Sequence, residues 1–215
     1  LKADILIGAA YASTPGPTPI NGLGYVVFGG VQSDGGAFTD VLELGSFTAA
    51  DGYALTSQNA DAGFQFTALG DIDSDGVEEF GISMPRTLED DVPGAVAFGG
   101  LTYVFDTLPD PANFGTSEPL LDLNTDPDGS GPLSAPAPGT YFISTETVAF
   151  SGVSVAGIGD FDGDTIDDFA ISAPSAGDDF GSFSSYLTRI SGVTFIVSGR
   201  EASDPFAAIE ALDAF

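Results

Sequence analysis

The sequence predicts an all-β chain built from a recurring unit of short antiparallel strands. Three observations carry that expectation. Turn formers are abundant, with 29 Gly and 14 Pro in 215 residues, which suits many short strands joined by turns. Helical periodicity is nearly absent: only 205–213 (PFAAIEALD) spaces its apolar residues as a short helix can. Finally, one stretch recurs without a gap, as FTALGDIDSDGVEEFGISMP at 66–85 and VAGIGDFDGDTIDDFAISAP at 155–174.

The elements follow in chain order. KADILIGAA at 2–10 reads as the tail of a third copy, with Asp4 in the place of Glu79 and Asp168 and the apolar strand behind it. A second strand signal comes after each copy: GLGYVVFGG at 22–30, GGLTYVFD at 99–106 and SGVTFIVSG at 191–199. Each joins Gly to β-branched and aromatic residues bounded by turn formers. A further strand is expected at 52–56, after the Asp51-Gly52 turn. The stretches 12–22, 86–93 and 107–139 read as long loops, longer than strand connections normally require. The chain thus divides into segments of about 1–62, 63–150 and 151–215 within one region spanning 1–215.

Charge narrows the function. Asp and Glu number 32 against 4 Lys and Arg, with no His, for a formal net charge of -28. A basic footprint for nucleic acid is missing. Without His or Cys there is no Ser-His-Asp triad, no thiolate nucleophile and no ordinary zinc or copper site. Disorder is not implied, because 43% of the residues are hydrophobic and 18 are Phe; the Phe-rich strands read as core. No apolar run reaches the roughly 20 residues of a membrane-spanning helix. The chain begins at Leu1 without a leader-like segment, which reads as a mature or trimmed product.

The acidic loops are the candidate sites. In Asp71-Ile72-Asp73-Ser74-Asp75-Gly76-Val77-Glu78-Glu79, acids stand at loop positions 1, 3, 5 and 9. This alternation curls the chain about one point. Asp71, Asp73 and Asp75, the carbonyl of Val77 and the carboxylate of Glu79 can then form an oxygen cage. Gly76 allows a positive φ at position 6. The second loop offers Asp160, Asp162, Asp164, the carbonyl of Ile166 and Asp168, with Thr165 at position 6. Carboxylates this close repel one another unless a divalent ion neutralises them. Many carboxylates plus a carbonyl suit Ca²⁺ better than Mg²⁺, so two Ca²⁺ sites are expected. The Asp122–Gly129 stretch also alternates oxygen side chains but lacks the closing acid, and reads as a polar turn.

Together, GDxDxDG, a strand ending in Met84-Pro85 or Ala173-Pro174, and the Gly-aromatic strand after it resemble the FG-GAP repeat of integrin α-subunit propellers and their bacterial relatives. The resemblance covers most of the chain as parts of three repeats. It implies a β-propeller of four-stranded antiparallel blades, with a Ca²⁺ loop between strands of a blade. Propellers have typically four to eight blades, and about three are expected here, so an incomplete propeller or open assembly is implied. Other blades or another chain would then cover the open edges. The implied function is a calcium-stabilised extracellular or cell-surface scaffold for adhesion, not an enzyme. Its partners would be a protein or glycan ligand, or further copies of itself in a filament or surface layer. The alternative is the propeller part of a secreted glycan-active or phosphoester-cleaving enzyme, although no acid/base pair stands out among the carboxylates.

Overall fold

The computed structural model describes residues 4–13, 21–29, 51–56, 65–86, 96–105, 120–122, 139–145, 147–176, 192–207 and 209–212. Among them every regular element is a strand, so the expected all-β class holds. The strands are β1 (Ile5–Ser13), β2 (Asn21–Val27), β3 (Gly52–Thr56), β4 (Gln65–Gly70), β5 (Glu79–Met84) and β6 (Leu101–Phe105). They continue with β7 (Leu120–Asp122), β8 (Gly139–Ser144), β9 (Val155–Gly159), β10 (Asp168–Ala173), β11 (Val193–Val197) and β12 (Ile209–Leu212).

Among the described residues three sheets form, with strand orders β1-β2-β3-β7, β12-β8-β6-β5-β4 and β11-β10-β9, and none of them closes on itself. Neighbours that follow one another along the chain pair antiparallel, as the alternating strand-turn pattern requires. The outermost additions differ: β7 lies parallel to β3, and β12 parallel to β8. In both cases the chain leaves a unit's third strand (β6 or β11) and reaches back to extend the sheet of the preceding unit.

The repeat is visible in the strand register. Ile5 pairs with Val27, Phe80 with Phe105 and Phe169 with Val197. Two residues on, Ile7 faces Tyr25, Ile82 faces Tyr103 and Ile171 faces Phe195. The described strands therefore fall into three structural units, carried by β1–β3, by β4, β5, β6 and β8, and by β9–β11. The described part of the KADILIGAA segment, from Asp4 on, takes the place in the first unit that its sequence implied.

One expected element is absent. Among the described residues of 205–213 no helix forms: β12 takes Ile209–Leu212, and 205–207 are irregular. A helix this short gains too little to offset its nucleation, whereas the free edge of β8 offers a ready row of backbone partners. The loop candidate at 122–129 lies outside the described residues except for Asp122, the last residue of β7.

Because side chains alternate across a strand, the second unit buries both of its faces. One face packs Phe80, Ile82, Tyr103, Phe105 and Tyr141 against Val26, Tyr53 and Leu55 of the first unit. The other packs Leu69, Ile72, Val104 and Phe142 against Val155, Phe169 and Ile171 of the third. The Phe80 and Phe105 rings stack at 4.6 Å, and Phe142 meets Phe169 edge-on at 5.1 Å across the unit boundary. Each such buried side chain contributes about 1.5–3 kcal/mol.

Candidate metal centres

Both acidic loops bridge the first two strands of a unit: 71–78 joins β4 to β5, and 160–167 joins β9 to β10. Their backbones follow the same path. Positive φ occurs at Gly70, Ser74 and Gly76 in one, and at Gly159, Gly163 and Thr165 in the other, position for position. The expected left-handed residue at position 6 is thus present in both loops, at φ 88° for Gly76 and 82° for Thr165. For Thr this conformation is strained, because its branched Cβ crowds the backbone.

The loops hold their shape by side-chain to backbone hydrogen bonds. Asp71 accepts the amides of Asp75 (3.0 Å) and Gly76 (3.1 Å), and Asp73 also accepts that of Asp75 (3.0 Å). Asp160 accepts those of Gly163 (2.6 Å) and Thr165 (3.1 Å), and Asp162 that of Asp164 (3.1 Å). Asp75 and Asp164 each take the amide two residues on, from Val77 (2.7 Å) and Ile166 (2.9 Å). Short acidic side chains commonly make such local turns.

The closing acid reaches back from the strand. Glu79 and Asp168, both buried, open β5 and β10, and accept the amides of Ile72 (2.8 Å) and Phe161 (2.7 Å). As a result Asp71, Asp73 and Glu79 come together, as do Asp160, Asp162 and Asp168. Within each triad, one carboxylate oxygen from each residue lies within 4.8 Å of the others. Each triad is able to hold a metal ion. Asp75 and Asp164 stand outside the triads, exposed to solvent. The Val77 and Ile166 side chains differ, Val77 being exposed and Ile166 buried.

Glu79 shows what the first triad lacks. It is only 2% exposed, and its Oε1 atom has no hydrogen-bond partner. Burial, with the carboxylates of Asp73, Asp75 and Asp71 adding to it, pushes its carboxyl up to about 8. Asp73 is raised as well, by burial and by Asp75 and Asp71. A buried, unpartnered carboxylate oxygen is costly, and a cation held among the three acids would offset that cost. In the second triad Asp168 is better satisfied, since its Oδ1 accepts the Gly199 amide at 2.9 Å. Asp4 repeats that contact in the first unit, taking the Gly29 amide at 2.7 Å.

Sequence reasoning missed Asp167. Its Oδ2 accepts the Asp71 amide at 3.1 Å, and its own amide donates to the Asp71 carbonyl at 3.3 Å. The amides of Arg200 and Ala202 donate to the carbonyls of Ile72 and Asp73, each at 2.9 Å. The third unit thereby clamps the first acidic loop. No local signal marks Asp167, which sits in a run of acids beside Asp168.

Among the described residues no helix is long and apolar enough to cross a membrane. In comparisons with known proteins, no family model matches the chain, and no curated protein does.

Proposed function

We propose that this chain is a calcium-stabilised scaffold of β-propeller type, working outside the cell or at its surface and presenting its loops to a macromolecular partner. The buried, unpartnered Oε1 of Glu79 inside a triad that the chain builds twice carries the reading. On this account each loop holds one Ca²⁺ through its triad, with the carbonyls of Val77 and Ile166 and the carboxylates of Asp75 and Asp164 available to complete the shell. Ca²⁺ takes six to eight oxygen ligands in a flexible arrangement, which suits loops of this composition.

The ion's role is structural. Folding gathers three carboxylates at each loop, and the cation offsets the repulsion that results. Sites built from exposed loops suit the millimolar Ca²⁺ found outside cells, which motivates the extracellular placement. A calorimetric Ca²⁺ titration of the chain tests the reading. Two bound ions are expected, with one lost in Glu79→Gln and one in Asp168→Asn. Absence of binding in the unmodified chain would end it.

A further inference from the structure

We propose that the outer face of the third unit is an interface for a second copy of this chain, docked head to tail through that copy's first unit. The inference rests on the reading of the chain as a scaffold of repeating units. Its starting point is the face that the second unit turns toward the third, where Leu69, Ile72 and Val104 are 1%, 2% and 0% exposed. Register and sequence place Ile158, Phe161 and Ile196 at the same three positions of the third unit. There they are 37%, 68% and 46% exposed. Three large apolar side chains that the repeat buries in one unit are bare in the next, and apolar surface gathered this way marks an interaction site.

The molecule itself indicates what covers such a face. In the second unit the cover is the opposite face of a neighbouring unit, led by Phe169 and Ile171 of β10. Ile5 and Ile7 of β1 hold those two places in the first unit, since Ile5 pairs with Val27 as Phe169 does with Val197. Ile5 is 51% exposed where Phe169 is 0% exposed, and Ile7 is half-buried. The chain therefore displays both halves of a contact that it already makes internally. Joining them between copies gives a heterologous interface, which closes into a ring or propagates as a filament according to the rotation per copy. Two chains of net charge -28 repel, so association is expected to strengthen with salt and with the cation, which screen or neutralise acids near the face.

The absence of Cys makes introduced thiols clean reporters. Ile5→Cys and Ile158→Cys replace residues whose counterparts, Phe169 and Leu69, share one cluster in the internal contact. Under mild oxidation, a mixture of the two variants should give a disulfide-linked heterodimer, while each alone should stay unlinked. Sedimentation of the unmodified chain should show mass rising with concentration, and Ile196→Asp should remove the rise while near-ultraviolet dichroism is unchanged. If Ile196→Asp does not fold, Ile158→Lys serves in its place. A chain that stays monomeric at all concentrations overturns the proposal. So does Ile158→Cys linking only to itself, or association indifferent to both face variants. Calcium titration of the same samples keeps the two readings apart: association without Ca²⁺ binding would leave this interface standing and remove the calcium reading.

Discussion

Glu79 is where the cost of the fold is most local. Because burial lifts its carboxyl from 4.5 to about 8, the metal-free folded chain keeps a proton there that the unfolded chain has released. The folded state then binds more protons across that window, so metal-free stability should fall as pH rises from about 4.5 to about 8 and level off above it. Glu79→Gln should flatten that slope and make the metal-free chain more stable at pH 8 by about 1–3 kcal/mol, although on the proposed calcium reading it also loses an ion. Urea unfolding in chelator at several pH values checks both effects. Thr165 is the second local strain. Thr165→Gly should raise stability by about 1 kcal/mol, since Gly76 already shows that glycine fits the conformation; the shift in urea midpoint measures it. Loop positions 1, 3 and 9 were legible because spacing within one loop dictates where those carboxylates meet. Position 5 joins neither triad: Asp75 and Asp164 are exposed and accept the amides of Val77 and Ile166. Asp167 was not legible, since its partner Asp71 lies in a different unit.

At the scale of elements, strands repeated in the sequence were legible because alternation and bounding turns are local properties. The parallel partners β7 and β12 were not, since a three- or four-residue strand is defined by the edge it joins. The same competition overturned the helix at 205–213: its apolar spacing is real, but the open edge of β8 outweighs it. Packing between elements makes one sharp prediction. A Cβ on Gly157 of β9 would lie 2.6 Å from the Leu69 carbonyl oxygen of β4, and backbone cannot yield as a flexible side chain can. Gly157→Ala should therefore cost about 1–3 kcal/mol by forcing the second and third units apart, read as a lower unfolding midpoint in urea.

For the whole molecule, the net charge of -28 acts as a general repulsion, and among the described residues acids are also gathered at two places. The first opposes compaction and is screened by salt; on the proposed calcium reading the second responds to a divalent ion. The sequence made the all-β class and the recurrence of its units legible, because both are written in local patterns. How the units stack depends on faces such as Leu69, Val104 and Phe142 meeting Phe169 and Ile171, which becomes evident only once the strands are paired. Calcium should stabilise the folded chain by about 2.7 kcal/mol per site at a free concentration one hundred times the dissociation constant. Thermal unfolding of the full chain in chelator and in millimolar Ca²⁺, at fixed ionic strength, tests this most directly. A clear rise in midpoint with Ca²⁺ is expected, reduced in Glu79→Gln and again in Asp168→Asn. An unchanged midpoint would mean that Ca²⁺ does not stabilise the fold.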